Sequence, residues 1–107
     1  MIRKAFMMAI NPGADAEYQR RHKTIWPELT QVFKAHGVHV YGIFLLPGTQ
    51  RLFAFALVES EAQWASIADT PECRRWWQYM AELMPHEESG APVVTELEEM
   101  FWLASDA

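Results

Sequence analysis

Two short stretches of the chain combine residue types that could bind a small polar ligand and move a proton. In the first stretch, Tyr18 and His22 are four residues apart, so on a helix they share one face. A phenol beside an imidazole offers a hydrogen-bond donor and a group that exchanges protons near neutral pH. From the spacing alone, an amphipathic helix whose Tyr and His border the core is the more frequent explanation, and proton-transfer chemistry is the alternative.

The second stretch runs from Cys73 to Met80 and contains two adjacent tryptophans, Trp76 and Trp77. Neighbouring helical residues point about 100° apart, so the two indoles cannot both face the same core. We expect one to pack inward and the other to border a cavity or an interface. An indole offers a flat apolar face to the C–H side of a sugar and an N–H donor at its rim, whereas a core or dimer-contact pair is about equally frequent.

Other kinds of chemistry have less support. His36 and His39 would need a third ligand at matching spacing to hold a metal, and the sequence offers none, so we expect no metal site. The chain has no phosphate-binding loop, dinucleotide fingerprint or paired-cysteine zinc motif, and no cofactor is expected. Cys73 lies one turn inside a predicted helix, where its pKa could fall, although a small buried residue is the favoured interpretation.

The elements that must position these residues follow from apolar runs and from the turn residues between them. The predicted order is strand, helix, strand, strand, helix, strand, with a short additional helix before the second long one. The elements cover residues 2–10, 16–36, 38–46, 51–58, 60–68 (the short helix), 70–84 and 93–103. Asp15, Ser60 and Thr70 are the predicted helix caps. Pro27 should kink the first helical stretch and restart it, and Gly37 should end it.

This order predicts a single α+β domain over residues 1–107, with a ferredoxin-like βαββαβ fold and a four-stranded antiparallel sheet. The helices should lie on one face of the sheet. Both faces of the second strand are apolar, however, with Tyr41, Ile43 and Leu45 on one side and Phe44 on the other. Because the helices cover only one face, we predict a homodimer that packs through the other, an arrangement of the dimeric α/β-barrel type.

Composition excludes several classes of protein. Nine Lys and Arg against fourteen Asp and Glu give 107 residues a net charge of -5, which argues against a nucleic-acid partner. No window approaches the ~20 apolar residues of a membrane span, and the first residues lack the apolar core of a signal peptide. The single cysteine fits a reducing compartment, so a cytoplasmic location is expected.

Read together, the two stretches resemble the L-rhamnose mutarotase family of small, cofactor-free sugar epimerases. The resemblance covers essentially the whole chain. It rests on Arg3-Lys4-Ala5-Phe6, Asn11-Pro12, Tyr18-Gln19-Arg20-Arg21-His22, Ile25-Trp26-Pro27-Glu28-Leu29 and the segment Cys73 to Met80. The family commonly carries Asn before the tyrosine matched to Tyr41, where this chain has Val40, and the tail after Phe101 is particular to this chain.

The resemblance implies a site and a reaction. It implies that His22 is the proton donor and that Tyr18, Tyr41, Trp76 and Trp77 contact the sugar, in an enzyme that interconverts the α and β anomers of L-rhamnose. These five residues should then line one pocket, with Tyr41 facing the helices and Phe44 facing the dimer interface. The resemblance also implies a dimeric, ferredoxin-like protein.

Two other functions use the same residues. A cofactor-free isomerase or monooxygenase on this fold would take a more hydrophobic substrate, and a pocket lined by hydroxyls and charges would favour the sugar over it. A non-catalytic module would bind a small ligand without accelerating anomer exchange. The sequence leaves Trp26, Trp64 and Trp102 undecided between core and interface.

Overall fold

One antiparallel sheet organises the computed structural model, which describes residues 1–104 of the chain. Its strands are β1 (Ile2–Ala9), β2 (Val38–Leu45), β3 (Arg51–Val58) and β4 (Thr95–Glu96), in the order β2–β3–β1–β4. The helices are α1 (Asp15–Lys23), α2 (Pro27–Ala35), α3 (Glu61–Ser66) and α4 (Pro71–Met80). The predicted ferredoxin-like α+β fold is therefore confirmed, while the predicted domain end at residue 107 lies outside the described residues.

The first helical stretch breaks where the sequence predicts. α2 begins at Pro27, because proline lacks an N–H and holds Trp26 in extended backbone, with φ −65° and ψ 131°. The predicted cap at Asp15 is wrong. The chain turns through Asn11 and enters the helix one residue earlier, so Ala14 is the N-cap and Asp15 lies in the first turn, near the positive end of the helix.

The later helices begin at their predicted caps. Ser60 accepts a hydrogen bond from the backbone N–H of Gln63, and Thr70 accepts one from that of Cys73. Both helices end sooner than predicted, because each tightens into a short 3₁₀ segment, Ile67–Asp69 after α3 and Ala81–Leu83 after α4.

The helices cover one face of the sheet. On β3, alternate residues from Leu52 to Val58 are buried beneath them, while Phe53 and Phe55 lie half-buried on the opposite face. On β2, Phe44 is 69% exposed on that same opposite face. We call it the open face, defined by Phe44, Phe53, Phe55 and Leu57.

A β-bulge in β2 sets which of its side chains point toward the helices. The pairing with β3 passes from Val38 opposite Val58 to Val40 opposite Leu57, so His39 is an extra residue. Tyr41 then lies opposite Ala56, whose side chain is buried beneath the helices. The bulge therefore leaves Val38 packed against the core and keeps Tyr41 on the helix side.

The predicted last strand over residues 93–103 is wrong for most of its length. Only Thr95–Glu96 forms a strand with β1, followed by one more hydrogen bond from Leu97 N–H to the Ala5 carbonyl (2.9 Å). Side chains hold the chain beyond this point. The Arg3 guanidinium donates to the Glu99 carboxylate, and its Cζ lies 4.5 Å from the centroid of the Trp102 ring.

Trp102 in turn stacks on Phe55, with the ring centroids 5.8 Å apart, so the end of the described chain crosses part of the open face. Its neighbours Met100, Phe101 and Leu103 are exposed.

In the part of the chain that the structure describes, no helix has both the length and the apolar character needed to cross a bilayer.

Candidate active site

A cavity of about 870 Å³ lies between the sheet and the helices. This volume is within the range of roughly 300 to 1,000 Å³ that small-molecule pockets occupy. All five residues that the sequence singled out line it, namely Tyr18, His22, Tyr41, Trp76 and Trp77. They come from α1, β2 and α4, so three separated parts of the chain meet at one site.

The helix α1 brings Tyr18 and His22 into contact. Their rings stack with centroids 4.4 Å apart and planes at 28°, as expected for residues one turn apart. His22 Nδ1 lies 2.9 Å from the Tyr18 carbonyl oxygen. Because a carbonyl can only accept a hydrogen bond, Nδ1 carries the proton, and Nε2 of the neutral ring is left with a free lone pair.

Burial lowers the pKa of His22, and its bond to the Tyr18 carbonyl offsets part of that effect. At neutral pH the imidazole is therefore neutral, with Nε2 as a proton acceptor. Its conjugate acid, once formed, is a stronger proton donor than an exposed imidazolium.

The helix α4 supplies the two indoles. Trp76 is buried and meets the His22 ring edge-on, at 5.3 Å and 87°, whereas Trp77 is half-buried at the cavity wall. The expected division between an inward indole and one that borders a cavity is what the structure shows. Both residues nevertheless line the cavity.

The strand β2 presents Tyr41 to the cavity from the sheet. Its ring packs among Phe6, Phe33 and Trp64, with centroids 5.5 to 6.3 Å away. Burial raises the pKa of both Tyr41 and Tyr18 well above the usual value for a phenol. Both phenols therefore stay protonated at neutral pH and can donate a hydrogen bond to a ligand.

The three undecided tryptophans have different surroundings. Trp64 lines the cavity and contacts Phe6 and Tyr41. Trp26 packs edge-on against Trp76 at 5.1 Å and supports it from outside the cavity wall. Trp102 lies on the open face. Trp64 was not among the predicted cavity residues, although its position one turn after the Ser60 cap is visible in the sequence.

The cavity wall is mostly aliphatic and aromatic, with polar groups at a few positions that include Asp15, Gln19 and Glu96. By the polarity criterion alone, this wall favours the more hydrophobic substrate, so wall polarity does not support the sugar. Cys73 is part of the wall, and burial raises the pKa of its thiol to about 12, so it is not an activated thiolate.

The two histidines considered as metal ligands have other partners. His36 Nδ1 lies 2.7 Å from Ser66 Oγ, and His39 Nε2 lies 2.6 Å from a Glu59 carboxylate oxygen. Among residues 1–104, no cluster of three His, Cys, Asp or Glu side chains could hold a metal ion.

Val40, which stands where the family that the sequence resembles commonly carries Asn, does not line the cavity. Val40 is 49% exposed and points to the opposite side of β2 from Tyr41. A polar residue at this position would lie on the open side of the sheet, so its absence removes no side chain from the cavity.

Comparison with known proteins gives a consistent family match. The family model described as L-rhamnose mutarotase matches residues 3–103. An L-rhamnose mutarotase of Opitutus terrae is 56% identical over 103 residues, which is 96% of this chain and 99% of that protein. One of Yersinia pestis is 55% identical with the same coverage.

Solved structures give the same match at the level of the fold. The crystal structure of L-rhamnose mutarotase from Formosa agariphila has a TM-score of 0.89 at 36% identity, and the match covers 97% of this chain and all of that one. A putative antibiotic biosynthesis monooxygenase from Nitrosomonas europaea has a TM-score of 0.64 at 9% identity, covering 92% of this chain and 89% of that one. The second likeness is one of fold alone.

Proposed function

The chain belongs to the L-rhamnose mutarotase family, and from this membership we propose how its cavity interconverts the α and β anomers of L-rhamnose. The enzyme is an isomerase acting on a carbohydrate. The observation that carries the proposed mechanism is the contact between His22 Nδ1 and the Tyr18 carbonyl, because it leaves Nε2 as the one ring nitrogen free to exchange a proton.

The reaction opens and closes the pyranose ring. A base removes the proton from the anomeric hydroxyl, the C1–O1 bond becomes a carbonyl, the bond from C1 to the ring oxygen breaks, and the ring oxygen takes up a proton. Rotation about the C1–C2 bond and the reverse steps give the other anomer. Both exchanging oxygens are attached to C1, so a single nitrogen can reach one after the other.

His22 carries both proton transfers in this proposal. Its neutral Nε2 accepts the anomeric proton, and the imidazolium then acts as the proton donor to the ring oxygen. Tyr18 and Tyr41 hold sugar hydroxyls as hydrogen-bond donors. Trp76 and Trp77 pack against the apolar C–H face and the methyl group of the sugar.

Saturation-transfer NMR on equilibrated L-rhamnose tests this function directly. The chain should accelerate exchange between the two anomer signals, and His22→Ala should abolish most of that acceleration. His39→Ala is the matched control, because His39 is an exposed histidine that does not line the cavity. A wild-type chain that binds L-rhamnose without accelerating exchange would be a binding module, and a fully active His22→Ala variant would overturn the role of His22.

We also propose that the protein is a homodimer joined through the open face. The exposed Phe44 and the half-buried Phe53 support this, because a monomer would leave their apolar surface in water. The exposed side chains of Met100, Phe101 and Leu103 add to that surface.

We also propose the domain extent, the partners and the location of the enzyme. We propose that residues 1–107 act as one mutarotase-like domain, without nucleic-acid or membrane partners and without a cofactor, because acid–base chemistry at His22 is sufficient for anomer exchange. A cytoplasmic location is supported by the buried free thiol of Cys73, the only cysteine in the sequence.

A further inference from the structure

We propose that Arg21 is a positioning residue for this reaction: it fixes α1, which carries Tyr18 and His22, against the end of α4, which carries Trp76 and Trp77. Arg21 is not part of the cavity wall. The inference rests on the proposed function of the cavity and adds to it a residue that acts through its neighbours.

The Arg21 guanidinium is buried and makes three hydrogen bonds. The residue is 8% exposed, and Nε donates to a Glu17 carboxylate oxygen at 2.7 Å within α1. Nη1 donates to the backbone carbonyl of Tyr79 at 2.6 Å, and Nη2 donates to the Glu82 carboxylate. The guanidinium also lies 4.3 Å from the centroid of the Tyr79 ring. One hydrogen bond and the cation–π contact therefore join α1 to α4, and the bond to Glu82 joins α1 to the 3₁₀ segment that follows α4.

The end of α4 needs this partner. The last carbonyl groups of a helix lack intrahelical donors and carry partial negative charge, and a cation there is stabilising. The last turn of α4 has no basic residue of its own. Arg21 supplies both the charge and a donor from α1, and this makes the α1–α4 contact a specific one.

This contact determines the geometry of the reacting group. Arg21 precedes His22 in α1, and Tyr79 follows Trp76 by three residues in α4. A shift of α1 relative to α4 would therefore change the edge-on contact between His22 and Trp76 and move Nε2 relative to a sugar held on the indoles. A displacement of about 1 Å can cost roughly 100-fold in rate.

The central test is Arg21→Lys, with Arg20→Lys as its matched control. Lysine keeps the charge but cannot make three directed bonds from one planar group. Arg20 bonds to the same Glu17 carboxylate and its charge also lies near the Tyr79 side chain, but its own side chain is 61% exposed. Among the described residues, it makes no hydrogen bond to the Tyr79 carbonyl or to Glu82, so Arg20→Lys leaves those two bonds in place. Rates of anomer exchange are measured by saturation-transfer NMR over a series of L-rhamnose concentrations, below the unfolding temperature of each variant.

We expect Arg21→Lys to lower kcat by about 10- to 100-fold and to change KM by less than about threefold, while Arg20→Lys stays near wild type. A purely stabilising role would instead lower Tm and leave kcat per folded molecule unchanged. Glu82→Gln keeps Arg21 in place and removes one charged partner, so it should lower kcat in the same direction by less. If Arg21→Lys does not fold, Glu82→Gln still tests the positioning role of Arg21.

The outcomes separate the two proposals. An active wild type with an unchanged kcat in Arg21→Lys, or an equal loss in Arg20→Lys, overturns the role of Arg21 alone. A wild type that does not accelerate exchange overturns the proposed function, and the Arg21 proposal falls with it.

Discussion

In the proposed mechanism, His22 determines the pH range over which the cavity can transfer protons. The proposed mechanism begins with a neutral imidazole, and burial lowers the pKa of this group from its ordinary value near ~6.5. Protonation therefore removes the free Nε2 only as the pH falls below that value. We expect the enzymatic rate to be flat near neutrality and to fall through an acid limb whose midpoint lies below pH ~6.5.

The measurement is the enzymatic exchange rate as a function of pH, after subtraction of the uncatalysed exchange at each pH. Burial raises the pKa of both phenols, so no loss from Tyr18 or Tyr41 is expected below pH ~10. His39→Ala should keep the acid limb of the wild type. A midpoint at or above pH 7 would contradict a buried, neutral His22.

For individual residues, the sequence predicted the groups that line the cavity better than it predicted the residue that positions them. Tyr18 and His22 share a helix face because they are four residues apart, and adjacent Trp76 and Trp77 must diverge. Spacing and resemblance together singled out five residues that all line the cavity, but not Trp64. The role of Arg21 was not visible. Arg20 and Arg21 look alike in sequence, and the bonds of Arg21 to the Tyr79 carbonyl and to Glu82, about sixty residues further on, distinguish the buried guanidinium from the exposed one.

The elements follow local signals closely where such signals exist. Pro27 and Gly37 define the ends of α2, and Ser60 and Thr70 cap α3 and α4. The bulge at His39 has no comparable local signal, because it depends on the register with β3. The end of β4 was mispredicted for a similar reason: side-chain partners elsewhere in the chain, rather than strand propensity, decide where the segment goes.

The turn between α2 and β2 offers a test at the scale of elements. Gly37 has a φ of +80°, and an added Cβ would lie 2.8 Å from Glu59 Cβ. Gly48 has a similar φ of +78° with no atom within 4 Å of an added Cβ. We expect Gly48→Ala to lower the free energy of unfolding by about 1 to 2 kcal/mol through the backbone alone. Gly37→Ala should cost about 1 kcal/mol more, because Glu59 must also move.

Urea titrations of both variants and the wild type, at one protein concentration, give these differences. If Gly37→Ala loses no more stability than Gly48→Ala, the crowding at Glu59 does not contribute. Anomer exchange should survive in both variants, since neither glycine lines the cavity.

At the scale of the whole molecule, the two faces of the sheet are covered by different parts of the chain. The helices enclose the cavity on one, and Trp102 covers part of the other. In the proposed homodimer, Phe44 lies in the interface, so Phe44→Asp places a charge there. We expect the wild type to sediment as a dimer at micromolar concentration and Phe44→Asp to shift toward monomer.

Gln31→Asp is the control for that experiment, because it adds the same charge to an exposed position on α2. Sedimentation velocity at several concentrations distinguishes the species. A wild type that remains monomeric would exclude the dimer, and a Phe44→Asp variant that stays dimeric would place the interface elsewhere.

The bond between Arg21 and the Tyr79 carbonyl also has a consequence for how the active site is acquired. It joins residues 58 positions apart, so it can form only after most of the chain has been synthesised and α4 has docked beside α1. Helix formation is local and does not require that docking step. During refolding, far-ultraviolet circular dichroism would therefore recover before anomer exchange, and catalysis would mark the last stage of assembly.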